Sequence, residues 1–441
     1  MLHEKAVNDY MSVRKSIYQG LFWKGVFYAS VFLLNVCIAR FFEASFSGLI
    51  FYITNFYSLV LLLLSFSIES GMTFFLSKKE IDASRLSVAA LVWTLLACSI
   101  AAIVLMFYRF PDKFSLAQNM SQVSLFFIGG MLLITFFSAL LAGEKDFRTA
   151  YIVQFFGNVL LSVLLVINHL AGNNFINAGS YIYLYFIFFL LEGVVIAVYF
   201  LYRHRKFFVV NANLLNDIQK LICYSSVIFI SNVAYFLLYR IDYWFVEYYC
   251  DRNSLGNYIQ ISKIAQLLIL VPSTISIVVF PYIAAGGKGS FIKELQLLSR
   301  TILAVFFVIC CLGAIAGYWL FPLLLGPTFN EMHLPFILLI PGILSLASLY
   351  PYTAYYAGVD MAKRNLTGTL IALLVLVIAD LLFIPKFGIK GAALASSIGY
   401  LCFQFYIMSR FKRDFNIKLA DSFILKKQDL HKILTLKIGK L

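Results

Sequence analysis

Apolar residues in this 441-residue chain come in long unbroken runs rather than in alternation with polar ones. A run of about twenty is what an α-helix needs to cross the hydrocarbon of a bilayer. Twelve runs meet that length. Six fill the first half: Gly20 to Ala39, Phe46 to Leu76, Ser87 to Phe107, Val123 to Ala142, Ala150 to Leu170 and Ser180 to Leu201. The other six are Leu221 to Tyr249, Gly256 to Ala285, Ile302 to Leu325, Leu334 to Ala357, Leu366 to Ile384 and Gly391 to Met408. The pattern predicts an all-α polytopic membrane protein of twelve transmembrane helices.

A weak internal repeat orders these spans. Glu43-Ala44-Ser45-Phe46-Ser47-Gly48, joining spans one and two, parallels Asp251-Arg252-Asn253-Ser254-Leu255-Gly256, joining spans seven and eight. Ala142-Gly143 closes span four as Ala357-Gly358 closes span ten. Matches at corresponding places in two six-span halves of the same orientation imply two pseudo-symmetric lobes about a central cavity. The expected organisation is an N-terminal lobe over residues 1–208 with a cytoplasmic N-tail, a C-terminal lobe over 209–409 and a basic tail over 410–441. Pro272 and Pro281 are expected to interrupt span eight, and Pro341 and Pro351 span ten, because proline frees backbone groups that protein or water must satisfy.

Composition confirms the class: 62% of residues are hydrophobic and 13% charged, with a mean hydropathy of +0.88, outside the range of soluble domains. The first run follows nineteen mostly polar residues and leads to Arg40-Phe41-Phe42-Glu43 with no small-residue cleavage site, so the N-terminus is expected to be retained and cytoplasmic. The formal charge of +14 is explained by its location. With the N-terminus inside, 26 of the 35 Lys and Arg residues fall in cytoplasmic segments, whereas outer loops hold Arg40, Arg109, Lys113, Arg252, Lys386 and Lys390. Basic residues resist export, so both termini are placed in the cytoplasm. The tail intersperses its charges with Ile417, Leu419, Phe423, Ile424, Leu430, Ile433, Leu434 and Leu436, a pattern suited to anionic membrane lipid and not to nucleic acid.

Cofactor chemistry is not implied. The seven cysteines lie in or beside spans without a Cys-x-x-Cys pair, and the five histidines lie in tails or loops, so no metal site is expected. The turn Gly286-Gly287-Lys288-Gly289-Ser290 lacks phosphate-loop spacing. No loop is long enough for a nucleotide-binding or catalytic domain, which argues against an enzyme such as a polymerase or ligase. Transport would then draw on an ion gradient, the membrane potential or the cargo's own gradient.

Charges inside the spans are therefore the informative residues, because a buried charge is costly and marks an ion or substrate path by default. Arg240, Lys263, Lys24 and Asn35 are the candidate contacts for an anionic polar cargo; Lys24 also has the option of reaching the cytoplasmic surface along its own stem. Glu69, Glu192, Asp242 and Asp380 are candidates for ion coupling by H+ or Na+. Glu192 lies nearest mid-span, and a permanently neutral structural carboxyl there is the competing reading. Span ten gathers Ser345, Ser348, Tyr350, Tyr352, Tyr355 and Tyr356; Tyr352 and Tyr355 are candidates for stacking on sugar faces, against an interfacial aromatic belt. On a regular helix Arg240 and Asp242 point to nearly opposite sides, and a tight turn before span eight would bring Asp242 level with Lys263, so those two are expected to pair.

Several stretches are similar as a set to one family. IPKFGIKGAALASSIGY (Ile384 to Tyr400) is the most specific; LLLGPTF, SLGNYIQISKIAQ, VVFPYIA and the segment from Ser47-Gly48 to Ser70-Gly71 extend the likeness over nearly the whole chain. Together they resemble the polysaccharide and O-antigen flippases of the multidrug, oligosaccharidyl-lipid and polysaccharide exporter superfamily. What the resemblance implies is a two-lobed carrier of the bacterial inner membrane. It would move an undecaprenyl-diphosphate-linked oligosaccharide from the cytoplasmic to the periplasmic leaflet by alternating access, with polysaccharide-assembly proteins as partners. Where family members often carry an arginine after the glycine that ends span two, this chain has Phe74-Phe75. A cation-coupled exporter of small amphipathic drugs shares the architecture but predicts an acidic cavity.

Overall fold

The computed structural model describes residues 2–107, 121–172, 178–204, 214–286, 291–359 and 361–423. Among them the chain forms thirteen α-helices: α1 (Leu2–Ser65), α2 (Ile68–Ser77), α3 (Ala83–Phe107), α4 (Ser121–Gly143), α5 (Thr149–Leu170), α6 (Ala178–His204), α7 (Leu214–Arg240), α8 (Asp242–Tyr249), α9 (Arg252–Gly286), α10 (Ile292–Leu325), α11 (His333–Gly358), α12 (Lys363–Phe387) and α13 (Ile389–Phe415). Ten helices are long and apolar enough to cross a membrane, and Leu215–Ser226 with Ile228–Tyr249, running through α7 and α8, supplies one more as a pair bent by 47°. The stretch Phe22–Ser65 has 44 residues. At 1.5 Å per residue it runs about 66 Å, twice the hydrocarbon thickness. Glu43 divides it, with φ 63 inside the helix. The twelve crossings of the hydrophobic pattern are thus accounted for, and the protein is a multi-pass membrane protein.

Breaks fall where polar side chains satisfy the freed backbone. Span two is predicted as one helix, yet Phe66 and Ser67 adopt left-handed φ of 51 and 54 and separate α1 from α2. The Ser67 N–H donates to Ser65 Oγ at 3.3 Å, and the Trp93 indole N–H donates to the Leu64 carbonyl at 2.8 Å. Span seven bends by 47° between Leu215–Ser226 and Ile228–Tyr249, while Ile241, between α7 and α8, keeps helical φ and ψ of −65 and −32. The four prolines behave otherwise. Pro272 and Pro281 lie inside the continuous α9, and Pro341 and Pro351 inside α11, so they do not interrupt spans eight and ten. Membrane helices tolerate proline when neighbours and hydroxyls take up the freed groups.

The chain divides into two compact units: residues 1–42 with 53–233, and 43–52 with 234–441. In the first, Tyr57, Phe127, Phe136, Phe137, Phe186 and Phe200 form the buried aromatic core. Glycines let α4 and α6 approach to backbone contact there: a Cβ on Gly193 would sit 2.5 Å from the Gly130 carbonyl oxygen. Close approach of this kind replaces the hydrophobic driving force that helices lack in lipid. In the second unit the repeat glycines meet, a Cβ on Gly48 lying 2.7 Å from the Gly256 Cα. Its α10 turns Leu312, Ile315, Tyr318, Trp319 and Leu323 outward, as a lipid-facing helix does. Beyond α13 a short 3-10 turn, Leu419–Ser422, is anchored to α10 where Arg300 Nη1 donates to the Asp421 carbonyl at 2.8 Å. The rest of the basic tail, and residues 287–290 of the glycine-rich turn, lie outside the described residues.

Candidate functional site

Two buried carboxylates come together in the second unit. Asp242 opens α8 directly after Ile241 and is 2% exposed; Asp380, on α12, is 0% exposed. The Tyr258 hydroxyl donates to Asp242 Oδ2, and the Ser396 hydroxyl donates to the same oxygen at 3.0 Å. Tyr258 and Ser396 also touch, Oη to Oγ, at 3.1 Å. Asp242 and Asp380 act on one another as like charges. Among the described residues, Asp242 Oδ1 and both oxygens of Asp380 have no hydrogen-bond partner. Helices α8, α9, α12 and α13 thus enclose two carboxyl groups with three free acceptor oxygens. A site of that composition can take a proton or a small cation, because an uncompensated carboxylate is expensive at membrane depth.

A cationic pair lies in the same unit. Arg240 ends α7 half-buried, its Nη2 donating to Gln266 Oε1 at 3.4 Å and its guanidinium 5.5 Å from the Phe236 ring centroid. Gln266 in turn donates to the Tyr243 oxygen at 3.4 Å. Lys263, half-buried on α9, holds Nζ 2.9 Å from the centroid of Phe51 and is acted on by the charge of Arg240. Lys263 therefore neighbours a second cation rather than Asp242, whose hydrogen bonds come from Tyr258 and Ser396. The expected Asp242–Lys263 pair does not form: Ile241 keeps helical dihedrals, φ −65 and ψ −32, and Asp242 meets α9 at Tyr258 while Arg240 meets it at Gln266, eight residues or about 12 Å apart along it.

The tyrosines expected to form a sugar platform do not offer one. Tyr352 and Tyr355 are 0% exposed, their rings packed 4.8 and 5.3 Å from Phe411, so they join α11 to α13 instead of offering a face. Half-buried tyrosines stand elsewhere on the unit: Tyr235 and Tyr239, one turn apart on α7, lie 6.4 Å apart at 16°, and the Tyr239 and Tyr350 hydroxyls meet at 3.4 Å. Sequence reading missed them because the charges of span seven drew the attention. The i, i+4 spacing of two tyrosines beside an intramembrane arginine was the available signal.

The other candidates belong to the first unit. Glu192, on α6, is buried with its carboxyl against Gly157 of α5, a position only a glycine leaves open. Nearby on α5, the Asn158 side chain donates to Ser30 Oγ at 3.1 Å. Asn35 donates to the Val31 carbonyl at 2.8 Å within its own helix. Lys24 is half-buried. Glu69 stands in the first turn of α2, where the helix dipole favours a carboxylate. Of the four carboxylates, the structure joins Asp242 to Asp380 and leaves Glu69 and Glu192 outside that cluster.

No family model and no curated protein sequence matches this chain. Solved structures do. A lipid II flippase MurJ in an inward closed conformation superposes with a TM-score of 0.72 at 15% identity, covering 96% of this chain and 93% of that one. A MOP superfamily transporter from Pyrococcus furiosus gives 0.61 at 15%, covering 93% and 96%. The Vibrio cholerae MATE transporter VcmN in its bent form gives 0.61 at 11%, covering 94% and 99%. Over nearly its whole length, then, the chain has the fold shared by flippases and exporters of the MOP superfamily.

Proposed function

We propose that this protein is a flippase that carries an undecaprenyl-diphosphate-linked oligosaccharide from the cytoplasmic to the periplasmic leaflet by alternating access. The observation that carries the reading is the Arg240–Lys263 pair. Lys263 stands in the field of Arg240, and two cations on neighbouring helices at membrane depth favour an anionic head group. A diphosphate suits the planar fork of arginine. The half-buried Tyr235, Tyr239 and Tyr350 supply ring faces and hydroxyls for the sugar, while the lipid tail stays in the bilayer. Coupling to H+ or Na+ is assigned to Asp242 and Asp380. In this reading the membrane is a bacterial inner membrane and the assembly proteins that consume the flipped unit are the partners.

Deleting the gene is expected to remove the surface polysaccharide and leave its lipid-linked precursor on the cytoplasmic leaflet, with recovery of both on re-expression. Intact polysaccharide together with heightened sensitivity to cationic drugs would overturn the reading in favour of a drug exporter, which the buried carboxylate pair also suits. Orientation has its own check. A thiol reagent that cannot cross the membrane is expected to reach a cysteine placed at Glu331 from outside and one at Lys363 only after lysis; the opposite pattern would invert the topology.

A further inference from the structure

Span seven does not belong to one unit. Residues up to Val233 pack in the first and those from Ala234 in the second, and the span is bent by 47° between Leu215–Ser226 and Ile228–Tyr249. Its inner half lies along α2, α3 and the Phe66–Ser67 break through a short series of contacts. At the end, Asp217 is 1% exposed and forms an ion pair with Arg85. Neither oxygen of that carboxylate, nor Arg85 Nε, has any other hydrogen-bond partner among the described residues. Two turns on, a Cβ at Gly71 would lie 3.1 Å from Ser225 Oγ, and the rings of Phe74 and Tyr224 stack at 4.4 Å. Further out, Phe229 stacks on Phe66 at 4.4 Å and Asn232 donates to Ser67 Oγ at 3.0 Å.

These contacts join side-chain tips and flat ring faces, with one closer approach at Gly71, where a Cβ would lie 3.0 Å from Leu221 Cδ2 and 3.6 Å from the Leu221 carbonyl oxygen. They differ from the glycine-locked backbones of α4 and α6, which cannot part without unpacking a core. Flat stacks and a single ion pair separate cleanly. The outer contacts also fall on the two residues, Phe66 and Ser67, that hold left-handed backbone with side chains attached, a strained conformation that persists only where its surroundings enforce it. Span two is thus broken at the level where span seven touches it, and span seven bends close by.

We propose that the inner half of span seven is a releasable strap, locked to the first unit by Arg85–Asp217 and hinged against the Phe66–Ser67 break, which detaches and re-docks in each transport cycle. The strap runs on into the helix that ends at Arg240, so its position is transmitted along the backbone toward the candidate site. The proposal rests on the chain being a carrier with alternating states and not on which cargo it moves.

Two measurements test it. Spin labels on the exposed native Cys223 and on Ser77→Cys, with the other six cysteines replaced by serine, are expected to give two distance populations in lipid. Arg85→Asp is expected to shift the populations toward the longer distance, and the double exchange Arg85→Asp with Asp217→Arg to shift them back. In the second measurement, Gly71→Cys with Ser225→Cys has the spacing of a disulfide. Oxidation is expected to cut surface polysaccharide delivery at least tenfold, and a reductant to restore it. One unchanging distance in every variant, or full delivery by the oxidised pair, would overturn the strap. Two exchanging distances in a protein that moves no lipid-linked sugar would uphold the strap and reject the cargo.

Discussion

Asparagine at Asp380 is expected to remove the dependence of transport on the coupling cation and to lower its rate by tenfold or more. The reasoning starts from cost. A carboxylate at mid-membrane is unfavourable by about 3 kcal/mol even on insertion scales, and here two of them share one enclosure. Oδ2 of Asp242 is compensated by Tyr258 and Ser396. Three oxygens are not. The enclosure is therefore stable when a proton or a cation is present and strained when both leave, which is the differential affinity needed to drive a two-state carrier. An amide at Asp380 keeps the shape, abolishes the repulsion and fixes the enclosure in its neutral condition. Melting temperature in detergent is expected to hold or rise while the response to imposed Na+ and pH gradients in vesicles disappears. Asp242→Asn is expected to remove the ion response as well but to lower the melting temperature, because a neutral amide oxygen accepts the Tyr258 and Ser396 hydrogen bonds more weakly than a carboxylate. Should Asp380→Asn retain both its rate and its ion dependence, coupling lies elsewhere, and Glu192 becomes the next residue to replace.

The spans were readable because length and apolarity alone decide them: the structure has helix over each hydrophobic run, with α7, α10 and α13 extending beyond theirs to Leu214, Ile292 and Phe415. Their breaks were not. Ser65-Phe66-Ser67 carries no helix-breaking residue, and only the reach of Trp93 from α3 shows why the backbone can turn there. The prolines misled in the opposite sense, since α9 and α11 continue through them. For the site, rarity made Asp242 and Asp380 visible one at a time. Their partnership depends on packing between helices more than a hundred residues apart in sequence, which composition and periodicity do not encode. The pairing of Asp242 with Lys263 failed because hydroxyls from two helices, Tyr258 on α9 and Ser396 on α13, take the Asp242 carboxylate instead. Tyr352 and Tyr355 looked like a face because span ten is rich in tyrosine, but they stand on the side that Phe411 covers.

Arg240→Ala is expected to abolish delivery of surface polysaccharide at matched membrane levels. In the folded protein Arg240 donates to the neutral amide of Gln266, lies over the Phe236 ring and acts on a second cation, Lys263. Neighbouring like charges at this depth are costly, and a bound anion would lower that cost. Lysine at 240 keeps the charge but not the fork that takes two phosphate oxygens at once, so Arg240→Lys is expected to restore only part of the activity. Lys263→Met leaves an apolar stem over Phe51 and removes one member of the repelling pair. Its melting temperature is expected to equal or exceed that of the unaltered protein while transport falls about tenfold. That divergence separates a binding role from a structural one, since a cation that held helices together would lose stability and activity in step. Full activity of Arg240→Ala, or parallel loss of stability and transport in Lys263→Met, would show that the pair braces the second unit and that the diphosphate is held by other residues.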